Sequence, residues 1–247
     1  KTNFIPVDSE HFSIFELLNE EKNLSLKKII ITASGGPFLN KKKNNKITVK
    51  QALSHPNWKM GKKITIDSST LMNKVFEVIE AKKIFNVEMK KIDILINPNS
   101  YIHAIIILNN GTIKLLAHET KMEIPIYNSI YWKENFELVY KTQELDLDKI
   151  NNVNLTKPDL KKFNYLNILK IVPHQDSLFE TILVSVNDEL VEMFLNNRIN
   201  YKKMCFYLMK IIKFKIFKKY YKIKPKSVKQ ILNVRNLARK VVNESVK

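Results

Sequence analysis

Apolar residues fall into short runs over the first half of the chain and into helical spacing over the second. Residues 3–7 read as a short strand running into Asp8-Ser9-Glu10-His11, and residues 12–18 as a helix. Residues 27–32 form a strand-like run that ends at Ala33-Ser34-Gly35-Gly36-Pro37-Phe38, and residues 63–67 read as another short strand. Leu71, Val75 and Ile79 recur at near-helical spacing, which predicts a helix over residues 70–85 with Ser68, Ser69 and Thr70 offering N-capping oxygens. Strands follow over 93–96, 102–108 and 112–117, with Asn109-Asn110-Gly111 as a hairpin turn signal before the last. Residues 133–163 are polar and irregular and read as a linker. From about 164 the pattern is helical to the end, interrupted near Lys224-Pro225. The prediction is an α/β (α+β) domain over 1–132, a mixed sheet with flanking helices, followed by a small C-terminal α-helical bundle over 164–247.

Composition changes this picture little. The chain has 247 residues, an ordinary hydrophobic fraction of 45% and only four glycines, with Lys, Asn and Ile over-used. A formal charge of +18 raises a nucleic-acid reading. The lysines, however, are spread along the chain rather than gathered in one stripe with interleaved aromatics, so a Lys-rich solvated surface is expected and no nucleic-acid partner. The lysines over 210–219 do not share one helical face, which argues against a membrane-surface helix. Cys205 is the one cysteine, which excludes a disulfide framework and a cysteine metal cluster, and its apolar neighbours predict a small buried side chain. No apolar run approaches membrane-spanning length, and residues 1–12 do not resemble a signal peptide. A cytoplasmic location is expected, or a plastid-type organelle if a targeting segment lies upstream.

The polar residues that carry chemistry are concentrated in a few places. On an extended strand end, Asp8 and Glu10 leave from one face and can converge on Mg²⁺ or Mn²⁺. Glu77 is a candidate third carboxylate, on a helix face with Asn73 and Lys74, and Glu80 one turn on competes with it. An exposed Lys74–Glu77 pair is the plainer alternative. The Ser68–Thr70 hydroxyls and amides suit an oxyanion at a helix start. Ser34-Gly35-Gly36 is either a phosphate cradle or only a turn. His11, His55 and His103 are ligands, proton carriers or structural residues, with His55 better suited to hydrogen-bonding a substrate than to a hard cation. Trp58 and Met60 are core filler or a lid that excludes water.

Taken together, Val7-Asp8-Ser9-Glu10-His11, Ser34-Gly35-Gly36-Pro37-Phe38, the block from His55 to Glu80 and Ile102-His103 resemble the 1-deoxy-D-xylulose 5-phosphate reductoisomerase family. The match is ordered and weaker after residue 132. The resemblance implies that Asp8, Glu10 and Glu77 are metal ligands, which places Glu77 ahead of Glu80. It implies substrate contacts from Ser9, Ser34, His55, Ser68, Asn73 and Lys74, with Glu77, His55 and Lys74 serving catalysis. Trp58 and Met60 match a mobile flap, Met122 the cofactor side of the cleft, and Asn187-Asp188-Glu189 an Asn-Glu element of the helical domain. The implied cofactors are Mn²⁺ or Mg²⁺, with Co²⁺ also admissible, and NADPH. The implied substrate is 1-deoxy-D-xylulose 5-phosphate and the implied assembly a homodimer.

Asn97, Thr120 and Val75 stand where the family commonly has histidine, proline and glycine. The family's glycine-rich dinucleotide domain and its Asn-Lys-Glu segment have no counterpart in this sequence. The expectation is therefore the catalytic and C-terminal portion of the reductoisomerase, its main NADPH-binding domain lying elsewhere. The alternatives are a metal-dependent sugar-phosphate binder or isomerase without redox activity, and a degenerate interaction subunit.

Overall fold

The computed structural model describes residues 4–19, 25–40, 47–132 and 145–246. They divide into two compact units that do not follow chain order. One is drawn from Lys1–Gly35, Pro56–Lys59 and Phe76–Asp159, the other from Gly36–His55, Met60–Val75 and Leu160–Lys247. Residues 36–55 and 60–75 thus cluster with the C-terminal helices, a partition that differs from the linear one above.

The first unit is built on a mixed four-stranded sheet. Its strands are β1 (Leu26–Ala33), β2 (Ile92–Ile96), β3 (Ile102–Leu108) and β4 (Ile113–Ala117), in the order β2-β1-β3-β4. The β1–β2 pair is parallel, with Ile31 opposite Ile94, and the β1–β3 and β3–β4 pairs are antiparallel. β3 is central and buried along nearly its whole length, which is why it reads as a continuous apolar run rather than an alternation. β4 is an edge, and its Ile113 and Leu115 face outward. Gly111 takes φ +89 in the hairpin that joins them, a conformation only glycine reaches without strain. Helix α1 (Ser9–Asn19) packs on this sheet and buries Phe12, Ile14 and Leu17.

The second unit contains the short α2 (Val49–Ala52), α3 (Lys62–Thr70) and three longer helices near the C-terminus: α7 (Phe179–Leu195), α8 (Tyr201–Ile211) and α9 (Val228–Ser245). α7 is its core, burying Phe179, Ile182, Leu183, Val186, Leu190 and Phe194. α9 lies against it through Val234, Ala238 and Val242, one every fourth residue. Helix α4 (Met72–Ile84) runs through the chain's change from the second unit to the first. Helices α5 (Glu123–Ile130) and α6 (Leu147–Asn151) also belong to the first unit.

Several sequence expectations are corrected. Residues 4–7 have no regular structure, and the helix begins at Ser9. Pro6 has no N–H to offer a strand partner, and the Asp8 carbonyl already accepts from Phe12 N at 2.7 Å. Residues 63–67 are helical within α3. A Lys63–Asp67 pair at i,i+4, 2.8 Å apart, and Thr65 Oγ1 donating to Gly61 O replace the strand reading. A short apolar run cannot by itself distinguish the two. α4 begins at Met72, so Ser68 and Ser69 close α3 instead of capping α4. Leu71, at φ +61, makes the turn, and of the three proposed cap oxygens only Thr70 Oγ1 accepts from Met72 N. Of the expected linker, 133–144 lie outside the described residues. The rest holds α6 and a bridge between Thr156 and Ile96, so it is not irregular throughout. Cys205 is half-buried rather than buried. No helix among the described residues is long and apolar enough to cross a membrane.

Candidate active site

Asp8 ends the segment before α1, Glu10 stands in the first turn of α1, and Glu77 lies in the middle of α4. One ligand oxygen from each lies within 4.8 Å of the others. The expected convergence is met, but through a helix start rather than a strand end. Glu77 is only 2% exposed, which excludes the exposed-pair reading. Glu80 is exposed and is not part of the cluster. Ser9 is buried, and its hydroxyl donates to Glu10 Oε2 while its carbonyl accepts from Ser13 Oγ at 2.7 Å. It therefore orients a member of the cluster.

His11 is the residue whose place the sequence left open. It is buried, its Nε2 donates to the Glu77 carbonyl at 3.0 Å, and its Nδ1 lies 3.1 Å from Asp8 Oδ2. One ring thus ties the backbone of one carboxylate residue to the side chain of another. Burial opposes its charged form, but the hydrogen bond and charge of Asp8, the Glu77 carbonyl and Glu80 outweigh burial and raise its pKa.

Around the sheet ends of the same unit, His103 stacks on His118 with centroids 3.8 Å apart. His103 donates from Nε2 to the His118 carbonyl at 3.1 Å. Trp58 meets His103 edge-on at 6.1 Å. Its neighbour Asn57 donates to Pro98 O at 2.7 Å and Ser100 Oγ at 2.8 Å, anchoring a stretch that has no regular structure. Ser34 follows β1 and is half-buried, and Met122 directly precedes α5, also half-buried. Asn97, where the family commonly has histidine, is fully buried and donates to Ile102 O at 3.2 Å.

The second unit holds His55, Met60, Ser68, Asn73 and Lys74. Asn73 and Lys74 open α4, and Lys74 is only 6% exposed. Burial first, and the nearby charge of Lys74 second, lower the pKa of His55 to about 4. His55 is therefore neutral near pH 7, beside a buried cation. Ser68 lies in the last turn of α3, close against Gly36. Asp67, passed over in the sequence, is buried between Lys63 and Asn187; an aspartate just before Ser-Ser gave no signal of that. Asp188 lies 3.1 Å from Lys63, and Glu189 accepts from Arg239 and Asn243.

Fold and site define an α/β protein with a three-carboxylate candidate metal centre and a largely helical second unit. The family model described as "1-deoxy-D-xylulose 5-phosphate reductoisomerase C-terminal domain" matches residues 4–85, and "DXP reductoisomerase C-terminal domain" matches 118–241. The chain is 53% identical over 236 residues to the 1-deoxy-D-xylulose 5-phosphate reductoisomerase of Pelagibacter ubique, covering 95% of this chain and 60% of that one. Against the Wolbachia pipientis (subsp. Culex pipiens) reductoisomerase it is 40% identical, covering 98% of this chain and 61% of that one. Among solved structures, a DOX-P reductoisomerase in complex with NADPH, fosmidomycin and magnesium superposes with TM-score 0.87 at 28% identity, over 98% of this chain and 63% of that one. The Zymomonas mobilis reductoisomerase in complex with NADPH gives 0.82 at 28% identity, over 98% and 61%. The chain belongs to the 1-deoxy-D-xylulose 5-phosphate reductoisomerase family. It spans about three-fifths of the length of these relatives.

Proposed function

We propose that the chain carries the metal- and substrate-binding residues of a 1-deoxy-D-xylulose 5-phosphate reductoisomerase. The reaction is the isomerisation and NADPH-dependent reduction of 1-deoxy-D-xylulose 5-phosphate to 2-C-methyl-D-erythritol 4-phosphate, a step of non-mevalonate isoprenoid biosynthesis. The observation that carries this reading is the convergence of Asp8, Glu10 and Glu77 in a chain of this family.

The donor set fits a hard divalent ion: three carboxylates, with no thiol or imidazole joining them among the described residues. Mg²⁺ or Mn²⁺ is therefore the proposed ion, with Co²⁺ admissible, and magnesium is named in the related DOX-P reductoisomerase complex. When bound, such an ion polarises the sugar oxygens and offsets negative charge developing during rearrangement. Asp8, Glu10 and Glu77 hold it, and Ser9 and His11 fix the carboxylates. Lys74, with Ser68, Asn73 and Ser34, takes the phosphate and hydroxyl groups of the substrate. His55, neutral at pH 7, donates or accepts a hydrogen bond without adding charge. Trp58 and Met60 cover the bound sugar and exclude water. Met122 is the proposed contact to NADPH, the cofactor named in the related complexes. A homodimer in the bacterial cytoplasm, or in a plastid-type organelle, is the setting proposed with this activity.

The test is NADPH oxidation with 1-deoxy-D-xylulose 5-phosphate and Mg²⁺ by this chain together with a reductoisomerase NADPH-binding domain. Substrate-dependent oxidation is expected, and its loss in Glu77→Gln. Rearrangement of the sugar without NADPH consumption would favour a non-redox isomerase instead. No substrate-dependent change of either kind would overturn the proposal.

A further inference from the structure

Asp67 takes no part in the chemistry described above, yet its carboxylate is only 1% exposed. Its Oδ1 accepts from Asn187 Nδ2 at 2.8 Å, and its Oδ2 lies 2.8 Å from Lys63 Nζ. Lys63 in turn reaches Asp188 Oδ1 at 3.1 Å. Asn187 is itself 2% exposed, so α3 is tied to α7 by a polar contact shielded from water. Burial pushes the Asp67 pKa up even against the charge of Lys63 and the hydrogen bonds of Asn187 and Lys63. A packed apolar pair would join two helices without that penalty. What a carboxylate adds is direction, because each of its oxygens must be met at a defined angle.

The neighbouring residues are held as firmly. Tyr201 of α8 donates to the Ser69 carbonyl at 3.0 Å, and its hydroxyl lies 3.1 Å from Ser69 Oγ. The Tyr201 ring meets Phe38 and Phe194 edge-on. On another side the backbone of Gly36 comes so close that a Cβ there would lie 2.7 Å from the Ser68 carbonyl oxygen. Ser68 therefore sits between a residue fixed to α7 and a residue fixed to α8, with its own carbonyl packed against a glycine. Its side chain is half-buried, and its hydroxyl has no hydrogen-bond partner among the described residues. A hydroxyl held on so constrained a backbone and left without an internal partner is arranged for an external one.

We propose that Asp67, through its contact with Asn187, is a positioning residue that aims the Ser68 hydroxyl at the phosphate of the substrate. This deepens the functional reading above and rests on its assignment of Ser68 to the phosphate. Asp67 touches no substrate atom; it acts through Ser68.

The experiment is a double-mutant cycle on the full chain with Mg²⁺. Two probes are titrated: 1-deoxy-D-xylulose 5-phosphate and the unphosphorylated sugar 1-deoxy-D-xylulose. Asn187→Ala removes one partner of Asp67 and keeps the Lys63–Asp67 pair; Asp67→Asn removes the charge. Each is expected to weaken the phosphorylated sugar about tenfold and to leave the unphosphorylated sugar unchanged. In a Ser68→Ala background the loss should disappear, because the hydroxyl being aimed is gone. Should Asp67→Asn fail to fold, the Asn187→Ala cycle decides alone. Wild-type affinity in Asn187→Ala, an equal loss for both sugars, or full additivity with Ser68→Ala would overturn the proposal. Absence of binding of either sugar by the unaltered chain would overturn the functional reading together with it, and so is told apart.

Discussion

Three carboxylates whose oxygens lie within 4.8 Å of one another repel, and Glu77 adds to this by being almost wholly buried. A divalent cation relieves the repulsion, so folding and metal binding are linked. Mg²⁺ at a hundred times its dissociation constant should stabilise the protein by about 2.7 kcal/mol, seen as a rise in Tm. Glu77→Gln should abolish that rise while leaving the metal-free protein as stable as before or slightly more so. An undiminished Mg²⁺-dependent rise in the variant would contradict the assignment. His55 supplies a second residue-level prediction. Its folded pKa of about 4 lies below the ordinary histidine value of 6.5, so the folded state holds it neutral. The stability it contributes is complete above pH 6.5 and is lost as pH falls from there toward 4. NMR titration of its ring should give a midpoint near 4, moving upward when inorganic phosphate partly neutralises Lys74. A midpoint near 6.5 that ignores phosphate would show that His55 senses neither burial nor Lys74.

At the scale of elements, the last turn of α3 depends on Gly36. That residue takes φ +65, and an added Cβ would meet Ser68 O at 2.7 Å, Ser68 C at 3.1 Å and Ser69 Cα at 3.2 Å, all backbone atoms that cannot rotate away. Gly36→Ala should cost about 2 kcal/mol or more, from left-handed strain and displacement of α3 together. Urea unfolding measures it, and an unchanged midpoint would show that α3 yields freely. The sequence made β1 to β4 and the long C-terminal helices legible because their apolar spacing is regular and extends over several residues. It misread 63–67 because Ile64 and Ile66 alternate with polar residues as a strand would. The contacts that make the segment a helix, Lys63 to Asp67 and Asp67 to Asn187, depend on an ion pair one turn apart and on a residue 120 positions away. It misplaced the start of α4 for a related reason: the positive φ of Leu71, a residue with no local preference for that conformation, breaks what looks like one helix into two.

For the whole molecule, the order of motifs along the chain carried more than periodicity did. Spacing alone pairs Asp8 with Glu10, and a helix start brings the two acids together as a strand end would. Glu77 reached the set through the family's pattern, and the structure brings its carboxylate to the same place. His11 and Asp67 were not legible as supports, because their partners lie far along the chain and only folding supplies them. The division of residues 36–55 and 60–75 into the second unit was equally hidden, as the chain leaves and re-enters a unit with no change of composition.

Metal-dependent binding of a sugar phosphate by this chain is the central expectation. Calorimetric titration of 1-deoxy-D-xylulose 5-phosphate into the protein, once with Mg²⁺ and once with a chelator, tests that directly. Saturable binding with Mg²⁺ that vanishes with the chelator is the predicted result. Binding of equal strength in both, or none in either, would contradict it.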